Sequence, residues 1–154
     1  MEQQLNQAVF SAVGSLLDTM IPVSYTLAQE ASLQPGPHLL GSIQVQGRML
    51  GSLVIALPTS LAIFMTARML DEVIEEVNDD VYETVAEMIN IVAGGVKTAF
   101  SKATQEAFLL GLPQVLELPH APPNQFSRFG ITVPVSTEAG TFLVMSNLQV
   151  SETA

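Results

Sequence analysis

The sequence predicts an α+β fold: three helices packed with a largely antiparallel sheet of about six strands. Three observations lead there. Apolar residues recur at helical spacing in two stretches, near residues 3–20 and 81–100, with polar residues on the other side of each. Residues 42–56 read as two strands joined by a Gly-Arg turn. Residues 129–150 read as a further pair of strands, and most connections are short. At 154 residues, one domain spanning 1–154 is expected, large enough to bury a core of its own.

The elements follow in order. Leu5, Val9, Val13, Leu16, Leu17 and Met20 form the apolar side of a first helix, expected to dock on the sheet, with Pro22 just beyond its end. Residues 23–33 carry a weak extended pattern, and Gln34-Pro35-Gly36-Pro37 is a loop by its turn residues. Ser42–Gln46 alternates polar and apolar, Gly47-Arg48 turns, and Met49–Ala56 is an apolar run of strand length. Pro58-Thr59-Ser60 opens a second helix to about Leu70, with Leu61, Phe64, Met65 and Met69 inward. Ala107–Leu110 and Gln114–Leu118 are short strand candidates separated by Gly111-Leu112-Pro113, and 119–123 is a loop. Phe129–Val135 alternates as a strand that Pro134 confines to an edge or a strand end. Gly140–Val150 closes the sheet as a hairpin arm.

The third helix, expected over 79–103, is the most informative stretch. At 100° per residue Val81, Val85, Met88, Ile89, Val92, Val96 and Phe100 share one side and make an apolar stripe. Glu83, Glu87, Asn90, Gly94, Lys97 and Ser101 share the other. Asp79 or Asp80 suits the N-cap, and with Asp80 as cap Glu83 falls at the third helical position, where a carboxylate meets the positive helix end. Glu87 and Asn90 have no such explanation, because dipole effects fade beyond the first turn and Asn is a poor residue for a helix interior. Gly94-Gly95 is costly in mid-helix, by about 1 kcal/mol per residue relative to Ala, which suggests that something comes close there. A plain solvated helix face is the alternative reading of Glu87 and Asn90.

Composition narrows the function. The chain is 48% hydrophobic and 13% charged, so apolar surface must be buried in a core, in a subunit interface, or in both. No apolar run reaches the roughly 18 residues of a membrane span, and no secretory leader pattern is visible at the start. The absence of cysteine rules out disulfides and thiolate metal sites. A net charge of -10 with no basic patch argues against nucleic acid or an anionic membrane as partner. Residues 71–87 hold eight of the fifteen carboxylates, without the alternating spacing of a calcium loop, and read as a solvated acidic linker running into the helix. Phosphate-loop, dinucleotide, nucleophile-elbow and zinc-protease motifs are absent from the sequence. His38 and His120 sit in proline-bearing loops and read as ordinary surface or structural residues.

Glu87-Met88-Ile89-Asn90, followed after twenty-two residues by Pro113, resembles the Glu-x-x-Asn-x(about 22)-Pro signature of the CheC/CheX/FliY family of chemotaxis phosphatases. The order of elements is similar to that of CheX across nearly the whole chain, and the motif occurs once, as in single-site CheX-like members. Four residues before the motif glutamate, where the family usually has Asp or Ser, stands Glu83.

The resemblance implies a CheC/CheX-like fold and a cytoplasmic enzyme that hydrolyses the phospho-aspartate of a CheY-like response regulator. Asn90 would orient the attacking water and Glu87 would pair with the regulator's lysine, as the catalytic residues; Glu83, Gly94 and Pro113 would contact the partner. Mg²⁺ is expected in the regulator, and no cofactor on this chain. CheX-like members pair through their sheets, which implies a homodimer. The rival is a non-catalytic module of the same fold that binds a receiver domain and hydrolyses nothing.

Overall fold

The structure, a computed structural model, describes residues 2–19, 25–27, 34–122 and 131–150. Met20, Pro22, most of the weak extended segment, Pro123 and the start of the Phe129 strand lie outside the described residues.

The chain order is α1 (Glu2–Thr19), β1 (Tyr25–Leu27), β2 (His38–Gly47), β3 (Met49–Pro58), α2 (Thr59–Leu70), α3 (Asp79–Thr104), β4 (Phe108–Leu110), β5 (Gln114–Leu118), β6 (Ile131–Thr137) and β7 (Gly140–Val150). Both expected hairpins are present. β2 pairs antiparallel with β3 from His38↔Pro58 to Val45↔Gly51, and β6 with β7 from Ile131↔Ser146 to Thr137↔Gly140. β2 begins four residues earlier than the alternating stretch, because the run from His38 continues the same pleat.

The two hairpins join through β3 and β7, which pair from Met49↔Val150 to Ala56↔Leu143. The resulting seven-stranded sheet has the order β1-β6-β7-β3-β2, with β4 and β5 sharing the far side of β2. β1 is the strand in the weak extended segment. β7 is interior, so it joins the two hairpins where it was expected to close the sheet. Pro134 departs from expectation: it is the middle residue of β6, which lies between β7 and β1 and is neither an edge nor a strand end there, although the described part of β1 pairs only with Val135–Thr137.

One sheet face carries Leu39, Ile43, Leu53, Ile55, Leu57, Val133, Val135, Phe142 and Val144 into a core shared with α3. Helix α3 lies across β2 and β3, and α2 packs beside it. The seat is cut by Gly41. A Cβ there would stand 2.9 Å from Val85 Cγ1 and 3.0 Å from Ile55 Cγ2, so a side chain at 41 would lift the helix off the sheet. In α2, Leu61, Ala62, Met65 and Thr66 are buried, whereas Phe64 and Met69 are only half-buried, and the Arg68 guanidinium covers the Phe64 ring at 4.7 Å.

Helix α1 does not dock on the sheet as its amphipathic pattern suggested. Its buried row, Leu5, Val9, Val13, Leu16 and Leu17, packs chiefly on α3. A pattern of apolar residues specifies that a face is buried but not what covers it, and here the sheet face is already taken by α3. Gly95 accounts for the close approach: a Cβ there would lie 2.9 Å from Ala12 Cβ and 3.3 Å from Ala12 Cα. The cost of that mid-helix glycine is therefore offset inside the molecule.

His38 is the structural residue it was expected to be, but in a strand and not in a loop. It is the first residue of β2 and fully buried, and its Nδ1–H donates to Gly36 O at 2.9 Å. Among the described residues no helix is long and apolar enough to cross a membrane. No group of three or more His, Asp or Glu among them could hold a metal ion.

Candidate functional site

The candidate site is the solvent side of α3, and its geometry begins at the helix start. The N-cap is Asn78, with φ -140° and ψ -175°, whose side-chain oxygen accepts from Val81 N at 3.0 Å. Asp79 and Asp80 occupy the first turn instead of capping it. Three consecutive capping types cannot be ranked by residue type, and the backbone that enters the helix decides among them. Glu83 is thereby moved from the third helical position to the fifth, outside the reach of capping, and joins Glu87 and Asn90 as a group without a helix-end explanation. Buried Thr84 satisfies its hydroxyl on Asp80 O at 2.9 Å.

The inner stripe is as expected. Val81, Val85, Met88, Ile89, Val92, Val96 and Phe100 are all fully buried. With that side anchored, the helix cannot roll, and Glu83, Glu87 and Asn90 are held out in solvent. No described residue hydrogen-bonds or ion-pairs with any of the three. Glu87 and Asn90, one turn apart, have Cβ atoms about 5–6 Å from each other and directions about 60° apart around the axis. Gly94 lies one turn beyond Asn90, half-buried, with nothing within 4 Å of where a Cβ would stand. The two central glycines thus divide. Gly95 serves α1, and Gly94 leaves bare backbone next to the Glu87–Asn90 pair.

Strand β5 flanks the open face. The Tyr82 hydroxyl donates to the Glu117 carboxylate and ties the start of α3 to the end of β5. Partial burial, that hydrogen bond, and the negative charges of Glu117 and Asp79 push the phenol above its ordinary value. Val85 rests on Gly41, whose β5 partner is Val115. Moving from Glu117 to Val115 along β5 therefore corresponds to moving from Tyr82 to Val85 along α3. Pro113, just before β5, is half-buried, and the bond from Gly111 N to Gln44 O, 2.9 Å, fixes the kink that it ends. The structure thus brings Glu83, Glu87, Asn90 and Gly94 onto one face of α3, while Pro113 ends the turn that leads into β5. The Tyr82–Glu117 tie was missed in the sequence. It joins residues thirty-five apart, and only the strand register reveals it.

Chemically, this face offers two carboxylates, one amide and a stretch of bare backbone on a rigid, convex support. An amide can orient a water or a hydroxyl but does not take up a proton at neutral pH.

Comparison with known proteins bears on the family and the fold. The family model described as chemotaxis phosphatase CheX matches residues 39–132. No curated protein matches the chain. Among solved structures, the chemotaxis protein CheX from Vibrio vulnificus superposes with a TM-score of 0.76 at 19% identity, covering 97% of this chain and 99% of that one. A CheC-like superfamily protein from Shewanella sp. PV-4 gives 0.70 at 24% identity, over 94% and 96% of the two chains. A CheX–CheY–BeF₃–Mg²⁺ complex from Borrelia burgdorferi gives 0.66 at 20% identity, over 90% and 94%. Three helices on an antiparallel sheet are the fold that these neighbours share. This chain belongs to the CheX family of chemotaxis phosphatases.

Proposed function

We propose that this chain removes the phosphoryl group from the phospho-aspartate of a CheY-like response regulator in the cytoplasm. The observation that carries the reading is the exposed Glu87–Asn90 pair, without partners among the described residues, on the open side of a helix whose other side is fully buried. The related CheX that forms a complex with CheY and Mg²⁺ supports the choice of partner.

In this reading the Asn90 carboxamide enters the regulator's active site and holds one water in line with the acyl phosphate. Water oxygen bonds to phosphorus, the bond from phosphorus to the aspartyl oxygen breaks, and the products are the aspartate carboxylate and inorganic phosphate. Asn90 accepts no proton; it fixes the direction of attack, and positioning of this kind suffices where the reaction needs little covalent help. Glu87 pairs with the regulator's lysine and sets the approach. Gly94 lets the partner's backbone close over the helix, while Glu83 and Pro113 border the contact. Mg²⁺ held by the regulator would neutralise charge on the phosphoryl group, and this chain holds no cofactor of its own.

Screening phosphorylated receiver domains for accelerated phosphate release tests the proposal, with Asn90→Ala run in parallel. Alanine is the better helix former and the position is exposed, so the fold should be unaffected. Release should slow by about 100-fold or more, the scale on which loss of a positioning group registers. If Asn90→Ala matches the parent on every receiver that the parent dephosphorylates, the mechanism is wrong. A parent that binds receivers and accelerates none of them is the non-catalytic module.

A further inference from the structure

Helix α3 carries both signs of charge along its open face. Its acidic end follows from the eight carboxylates of 71–87. Its other end carries the chain's two lysines, Lys97 and Lys102, which with Thr98, Ser101 and Gln105 line an open depression. Those five side chains offer two ammonium groups, two hydroxyls and an amide, a set rich in donors in a chain of net charge -10.

Lys102 lies in the last helical turn, where the negative end of the helix dipole explains it. Lys97 lies seven residues before the final Thr104, beyond the range of that effect. No described residue forms an ion pair with Lys97. Arg48 and Arg68, by contrast, face Glu106 and Glu138 at 3.8 and 3.4 Å.

Lys97 follows Asn90 by two helical turns, which places it about 20° from Asn90 in direction and about 10 Å along the axis. A standard interface buries about 800 Å² per partner, equivalent to a disc roughly 16 Å in radius. A protein docked over Asn90 therefore covers Lys97 as well.

A receiver phosphorylated on aspartate and loaded with Mg²⁺ has an anionic surface around its site, because Mg²⁺ is held by oxygen ligands and the phosphoryl group adds further charge. Resting on the phosphatase reading above, we propose that Lys97 is a docking residue that pairs with a carboxylate on the receiver beside its phosphorylated site. Together with Glu87 it sets the receiver's orientation along α3. Glu87 and Lys97 are about 15 Å apart on the axis, and a receiver rotated by half a turn would meet like charges at both ends.

The test uses the receiver that the parent chain dephosphorylates fastest, charged with Mg²⁺ and acetyl phosphate. Parent, Lys97→Glu, Lys97→Gln, Lys97→Arg and Asn90→Ala are compared at low and high salt, with circular dichroism confirming that each is folded. Lys97→Glu should lower kcat/KM about 10-fold at low salt and leave kcat within about twofold, with the gap closing as salt screens the pair. Lys97→Gln should lie between, and Lys97→Arg should stay near the parent; the neutral variant decides the matter if charge reversal unfolds the chain. Equal kcat/KM in Lys97→Gln and parent at low salt, or a fall in kcat as large as that in kcat/KM, overturns the role of Lys97. Neither outcome touches the phosphatase reading: its mechanism fails if Asn90→Ala keeps full activity, and the activity itself fails if the parent accelerates no receiver.

Discussion

At the scale of single residues, neighbouring glycines and paired polar groups separate function from packing. Gly94→Ala should raise stability by about 0.5–1 kcal/mol, because the new methyl meets open space and helix propensity improves. Gly95→Ala should lower it by about 1 kcal/mol, since overpacking against Ala12 outweighs the same gain. Urea denaturation checks the order, with the Gly94 variant above the parent and the Gly95 variant below. If Gly94 faces the partner, its stabilised variant is also the slower phosphatase. Glu87→Ala should act on recognition, leaving the regulator's lysine without its partner, so its effect appears at sub-saturating substrate and fades at saturation. The face of each α3 residue was legible in the sequence, because one angular period decides it. The purpose of Gly95 was not, since Ala12 lies more than eighty positions away and nothing local announces the contact.

At the scale of elements, the Tyr82–Glu117 bond is the tie between α3 and β5, the strand that follows Pro113. Its phenol is raised in the folded state, so the folded chain holds that proton more tightly than the unfolded chain does. The stabilisation is complete below the unfolded phenol value of about 10 and is lost as pH rises through the higher folded value. Tyr82→Phe removes this titration, so the stability advantage of the parent over the variant should shrink above about pH 10. Thermal melts of both chains from pH 8 to 11 check it, and an unchanging difference would mean that the bond contributes nothing. The helix lengths, both hairpins and the interruption at Gly111–Pro113 were legible, because each rests on local period or turn chemistry. The docking of α1 on α3 was not, since amphipathicity identifies a buried face without its cover.

At the scale of the whole molecule, the sequence placed strands in hairpins but left the order of the hairpins open. The β3–β7 pairing joins segments about ninety residues apart, and no local signal encodes it. Among the described residues the sheet ends at β1 on one side and at β4 with β5 on the other, where Leu109 and Leu116 are exposed. Exposed leucines on an edge strand invite pairing, and we propose that a second copy of the chain covers this edge as a homodimer. Light scattering at tens of micromolar should return twice the 16.5 kDa chain mass, and the single mass would refute the dimer. Helix α3, meanwhile, is gripped by the sheet through Gly41 and by α1 through Gly95, with only one strip left open. An element held from two sides belongs to the part of a protein that opens last, so amide hydrogens around Met88–Val92 should exchange with solvent only through global unfolding. Local melting therefore cannot silence the Glu87–Asn90 pair in the folded chain. On the phosphatase reading proposed above, what turns the pair off acts by occupying the strip or by withholding the partner.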